Sequence, residues 1–128
     1  MSKVVLINPS LSVERRYGVM SVAGGVEIPF GICYLAGYLK EKEVSVEIID
    51  ACALNLDNDS LVCQIKKTNC RYLGITVTTQ QLPSAVAVAE KLKKEDPEVI
   101  IIVGGCHISS SYEDTLRQNP FFDYAVVG

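Results

Sequence analysis

Apolar residues in this chain gather in five short runs, with helix-spaced stretches between them. Lys3 to Asn8 (KVVLIN) is rich in β-branched side chains, stops at Pro9 and reads as a buried strand. Val44 to Asp50 (VSVEIID), Arg71 to Val77 (RYLGITV), Glu98 to Val103 (EVIIIV) and Asp123 to Val127 (DYAVV) read as four more. The fourth run is the most apolar and predicts a central strand covered on both faces.

The intervening stretches carry helix punctuation. Pro29 suits a first helical turn, and Ile32, Leu35, Ala36 and Leu39 follow on one face, giving a helix to about Lys42. Asn58 or Asp59 is placed to cap a helix carrying Leu61, Val62 and Ile65. Pro83 opens a helix whose apolar face is Ala85, Val88, Ala89 and Leu92, with Pro97 beyond its end. Ser110 and Glu113 have capping-box spacing and predict a helix that ends before Pro120. Pro9 to Ile28 has no apolar period. A structureless stretch of about twenty residues is unusual in a compact domain and often functional.

Strict alternation of strand and helix predicts an α/β fold of three layers, Rossmann-like and flavodoxin-like. Its five-stranded parallel sheet takes the order 2-1-3-4-5. The 128 residues suit a single domain spanning 1–128. A chain ending at a strand terminus and Gly128 is expected to be the N-terminal fragment of a longer protein.

Hydrophobic residues make up 48% of the chain. They lie in runs too short for membrane spans, so no membrane partner is expected. The net charge is −3 with no basic block, which disfavours nucleic acid as a partner. The five cysteines form no C-x-x-C pair, which argues against structural zinc or a self-contained iron–sulfur site. A reducing compartment fits. A first strand so close to the N-terminus leaves no room for a signal peptide, so the expected location is cytoplasmic.

In such sheets ligands bind beyond the C-terminal strand ends, where the strand order reverses. The loops reaching that edge here are Asn8-Pro9-Ser10, Thr76 to Gln81, Gly104 to Ser111, and Gly128. Neither G-x-G-x-x-G nor a P-loop is present. Asp50 is a strand-end cap or, less fittingly without those glycines, a ribose ligand. Thr76 and Thr78 share a strand face and offer hydroxyls; they serve a ligand or are ordinary strand residues. Gly104-Gly105 permits positive φ and close approach of a ligand; one glycine would suffice for a tight turn. Three roles stay open to His107, the single histidine: ligand contact, bonding within its own loop, or metal ligand and general base. Cys106 beside it reads as a small buried residue. No nucleophile–base pair is visible, so no catalytic residue and no metal ligand is assigned.

The segments VVLINPS, PFGICYLAGYLKEK, VEIID, YLGITVTT, VIIIVGGCHIS and DYAVVG, in this order and spacing, resemble the N-terminal cobalamin-binding domain of cobalamin-dependent radical SAM enzymes. The G-G-x-H turn is the most specific piece. The resemblance implies a cobalamin whose corrin ring lies over the strand ends and whose nucleotide tail inserts alongside the sheet. It implies that Gly104 and Gly105 leave room for the tail, and that Thr76, Thr78 and Thr79 bond tail or corrin amides. Asn8, Pro9, Ser10, Cys106, His107 and Gly128 would complete the site, with the long loop against the ring. The wider superfamily often has D-x-H-x-x-G after strand one. Here the residues are NPSLSVERRYG, which implies a base-off cofactor without a protein histidine on cobalt.

The resemblance further implies a downstream radical SAM catalytic domain in the same polypeptide. That domain would carry a [4Fe–4S] cluster on C-x-x-x-C-x-x-C and S-adenosylmethionine, and would act on a small-molecule substrate as a methyltransferase or cyclase. The alternatives are a flavodoxin-like domain for another ligand and a receiver-like or interaction domain without cobalamin. A receiver would need acids where the chain has Asn8 and Thr78.

Overall fold

One parallel sheet of five strands, in the order β2-β1-β3-β4-β5, organises the molecule. In the computed structural model, which describes residues 2–128, the strands are β1 (Val4–Asn8), β2 (Val46–Asp50), β3 (Tyr72–Thr76), β4 (Ile100–Gly104) and β5 (Tyr124–Ala125). The helices are α1 (Val13–Tyr17), α2 (Phe30–Glu41), α3 (Asn58–Thr68), α4 (Leu82–Glu95) and α5 (Cys106–Gln118). The fold is therefore the expected Rossmann-like, flavodoxin-like α/β sheet. None of the helices among the described residues is long and apolar enough to cross a membrane.

The two faces of the sheet are covered unequally. Val5, Ile7, Leu73, Ile75, Ile101 and Val103 point to one face and are buried under α3, α4 and α5. The predicted stripe Ala85, Val88, Ala89 and Leu92 supplies the share of α4. On the other face α2 alone packs, through Ile32, Ala36 and Leu39, over Val4 and Leu6 of β1 and Val46 and Ile48 of β2. Leu35, expected in that stripe, is 52% exposed.

The parallel register pairs Leu6 with Gly74, Gly74 with Ile102, and Ile102 with Tyr124. These residues share the α2 face because alternation carries one row across the strands. No helix among the described residues reaches that half of the face. The crossover from β1 to β2 runs toward one edge, and right-handedness sets it on the opposite face from the crossovers that run the other way. So β4 is not covered on both faces as its apolarity predicts: Ile101 and Val103 are buried, whereas Ile100 and Ile102 are half-exposed.

Other departures are local. The segment after Pro9 is not structureless. Ser12 caps α1 by accepting a hydrogen bond from the Arg15 N–H, and a 3₁₀ turn, Gly18–Ala23, continues it. The ring of Tyr17 lies where a side chain on Gly24 would stand, and its hydroxyl donates to the Gly25 carbonyl at 3.3 Å. Helix α3 is capped by Asp57, one residue before the expected pair. Helix α5 starts at Cys106, ahead of the Ser110 start, and breaks its helical geometry at Ser111 (φ −144°, ψ 32°). Ser110 does not cap; its hydroxyl donates back to the His107 carbonyl.

Candidate functional site

The C-terminal strand ends meet in a buried polar cluster. Asp50 at the end of β2 accepts hydrogen bonds from Asn8 Nδ2 (2.9 Å) and from the backbone N–H groups of Cys52 and Ala53. Its carboxylate closes the turn after β2, which is the strand-end reading of that residue. Asn8 turns its other amide atom, Oδ1, to Gln81 Nε2 at 2.7 Å. Gln81 also donates to the Pro9 carbonyl at 3.0 Å, while its Oε1 accepts from the Thr78 hydroxyl at 3.0 Å and the Thr78 N–H at 3.3 Å. Thr78 and Gln81 thereby form the capping box of a 3₁₀ turn, Thr79–Gln81, that leads into α4. Gln81 is 3% exposed, and every polar atom of its side chain is used.

Cys52 sits against this cluster, its thiol donating to the Pro9 carbonyl. Partial burial pushes that thiol above its ordinary pKa. Ser10 turns the other way, its hydroxyl donating to the Leu56 carbonyl. It lines a cleft of about 400 Å³ with Arg15, Asn55, Asp57 and Ser84 and with the apolar Leu11 and Leu56. None of the other residues expected at the site line that cleft.

A second group forms at the ends of β3 and β4. Thr76 pairs with Gly104 in the sheet register. Gly105 has φ +101°, a value that strains any side chain, and a Cβ there would lie 2.9 Å from both the N and O of Val77. That glycine serves the tight turn from β4 into α5. Gly104 differs: a Cβ there would meet nothing nearer than Val126, at 3.8 Å and 3.9 Å. Gly104 therefore borders the uncovered half of the sheet, whose floor is Ile100 and Ile102; the space above Gly74 is taken by Leu6, whose Cδ2 would stand 2.6 Å from a Cβ there.

His107 stitches this group together. Its backbone N–H donates to the Val77 carbonyl at 3.1 Å, and its ring nitrogens face Thr79 Oγ1 (3.0 Å) and Thr115 Oγ1 (3.2 Å). With both nitrogens engaged, the ring has no lone pair directed at a metal. Cys106, expected to be buried, is exposed in the first turn of α5, because the helix starts there and turns that position outward. Gly128 donates its N–H to Ser109 Oγ at 3.2 Å, bringing the last residue over the same turn.

The expected residues thus fall into two adjoining groups, linked through Thr78 and Gln81. Asn8 and Pro9 belong to the first; Thr76, Thr79, Gly104, Gly105 and His107 belong to the second. Gln81 was missed by the sequence reading. The T-x-x-Q capping-box spacing marks it.

The B12 binding domain family matches residues 17–128. The chain belongs to this family. An uncharacterised methyltransferase of Pyrococcus horikoshii is 33% identical over 128 residues, covering 100% of this chain and 27% of its own length. The anaerobic magnesium-protoporphyrin IX monomethyl ester cyclase of Rubrivivax gelatinosus is 30% identical over 112 residues, 83% of this chain and 20% of its own. This member of the B12 binding domain family thus spans only 27% and 20% of the length of these relatives. Among solved structures, RcsB of Salmonella enterica superposes with a TM-score of 0.58 over 98% of this chain and 59% of its own, at 14% identity. That likeness is one of fold alone.

The residues fit a cobalamin in part. Gly104 leaves a side-chain-free border beside an open apolar floor. The Thr76 hydroxyl makes no side-chain hydrogen bond among the described residues, and the loop from β1 carries no histidine. The Thr78 hydroxyl donates to Gln81 and keeps acceptor capacity only, and the Thr79 hydroxyl is engaged with His107 Nδ1.

Proposed function

We propose that this domain binds cobalamin at the C-terminal strand edge and serves as the cofactor module of a longer radical SAM enzyme of the methyltransferase or cyclase type. The observation that carries this reading is Gly104, whose missing side chain opens onto the uncovered half of the sheet. Gly104, Ile100 and Ile102 would hold the nucleotide tail. Thr76 would bond it, and the loop from Pro9 to Ile28 would lie against the corrin. Asn8, Pro9 and Gln81 form the floor beneath. Asn8 and Gln81 spend their amide groups on one another and on Asp50, Pro9 and Thr78 and would not bind cobalt; a nucleotide tail held beside Gly104 would keep the cofactor's own base away from the metal, so a base-off cofactor is expected. Cobalamin, when bound, supplies cobalt-centred chemistry that the chain's own side chains lack. What the domain itself does is hold the cofactor and shield one side of it from water. The [4Fe–4S] cluster, S-adenosylmethionine and the small-molecule substrate belong, in this reading, to a catalytic domain in the same polypeptide.

The test is retention of hydroxocobalamin after desalting, read from the visible spectrum. The expected result is retained absorbance with a base-off shift, abolished by Gly104→Leu in a protein whose circular dichroism is unchanged. A wild-type chain that retains no cobalamin, or a Gly104→Leu variant that retains it fully, overturns the reading. Retention of flavin instead would favour a flavodoxin-like domain.

A further inference from the structure

Helix α2 is apolar on two sides. Ile32, Ala36 and Leu39 face the sheet. Phe30, Tyr34 and Tyr38 recur at i, i+4 and i+8 on another side and are 75%, 79% and 55% exposed. From Ile28 to Leu39 there is no charged residue. A helix apolar all round is the signature of a buried helix, not a surface one. The segment leading into it exposes further apolar side chains, Val19 at 98%, Val22 at 99% and Ile28 at 64%, with Glu27 its one charged residue, paired with Arg16. Surfaces of this kind are covered by partners, and an aromatic-rich patch whose charges stand only at its ends, Glu27 paired with Arg16 and Lys42 over the Tyr38 ring, has the composition of an interface core with a polar rim.

We infer that this stripe, continued by the Val19–Ile28 segment, is the seat of a second domain of the same polypeptide, which meets it with an uncharged apolar face. Two observations choose this occupant. The relatives carry this domain within polypeptides of which it is only 27% and 20%, so each copy has ample chain to cover the stripe. The exposed segment also leads in sequence from the loop after β1 directly into α2, so a domain seated on both would extend toward the strand edge where the cofactor is proposed to lie. The inference rests on the reading that the chain is one domain of a longer enzyme, and gives that enzyme's second domain a definite footing.

The experiment places a thiol at the centre of the stripe, Tyr34→Cys. It compares native-state maleimide labelling in the 128-residue chain and in the full polypeptide encoded by its gene. Cys63, exposed on α3, is the internal reference, and the native Cys33, exposed beside the stripe, repeats the measurement without a substitution. The expected result is labelling at the Cys63 rate in the short chain and at least about tenfold slower in the long one, with Cys63 unchanged. Equal rates in both overturn the inference. So does protection already present in the short chain at a dimer mass, which would assign the stripe to a second copy, and so does a gene that ends at residue 128. Cobalamin retention, recorded on the same samples, keeps the two readings apart. Protection of position 34 without cobalamin removes the cofactor and leaves the docking surface. Cobalamin retained with position 34 freely labelled does the reverse.

Discussion

Gln81 Nε2 donates to Asn8 Oδ1 across 2.7 Å, tying the loop after β3 to the end of β1 where the strand order reverses. Because Gln81 is buried and shares its amide with the Pro9 carbonyl as well, its removal strands two acceptors away from water. Gln81→Leu is expected to lower stability by about 2–3 kcal/mol, the cost of unmet buried polar groups. Urea unfolding followed by circular dichroism measures it; a loss below about 0.5 kcal/mol would mean that water replaces the amide.

The two adjacent glycines should respond differently. Gly105→Ala forces a side chain into a positive-φ turn against the Val77 backbone and is expected to cost about 2 kcal/mol or more. Gly104→Ala meets only ordinary contacts and is expected to be neutral or slightly stabilising, within about 1 kcal/mol. Thermal denaturation of the pair checks the contrast, and equal losses would refute it.

For His107 the outcome follows from its two ring contacts. His107→Ala leaves the buried Thr115 hydroxyl without its imidazole partner and frees Thr79. The expected loss is about 1–2 kcal/mol, together with faster exchange of amide hydrogens in the first turn of α5. A variant as stable as the parent would show that the stitch is idle.

Alkaline behaviour follows from two cysteines. Burial raises the thiol pKa of Cys52 and of Cys70 above the ordinary 9.0. In the folded chain these groups hold their protons to higher pH than in the unfolded chain. Their contribution is therefore unchanged below pH 9 and is lost as pH climbs from the unfolded value through the folded one. Stability should fall as the pH passes about 9, and Cys52→Ser with Cys70→Ser should flatten that fall. At neutral pH both should alkylate more slowly than the exposed Cys33, Cys63 and Cys106.

Much of the architecture can be read from the residues, since each strand is a short apolar run and α4 carries its stripe between two prolines. Strand order follows from alternation and handedness. What escapes is whatever depends on which residues meet across the sheet. The apolarity of β4 argues for two covered faces, yet Ile100 and Ile102 lie beyond the reach of α2. A single chain does not reveal how many helices fall on each side until the crossovers are counted face by face. The exposure of Cys106 depends on where α5 begins, and the Ser110–Glu113 signal pointed to the later of two starts, at the Ser111 break. Gly104 and Gly105 look alike as letters; only the φ of one and the open space beside the other separate them.

The lone helix on the α2 face also sets where the molecule yields first. Among the described residues its own core comprises Leu6, Ile32 and Ala36, with four half-buried neighbours, against nineteen buried residues of the core on the other face. Little apolar area is forfeited when α2 lifts away, so its detachment should be a low-energy subglobal opening that leaves the remaining layers intact. Whatever settles upon this helix therefore acts as a clasp, turning the weakest-held layer of the domain into one of the most firmly fixed.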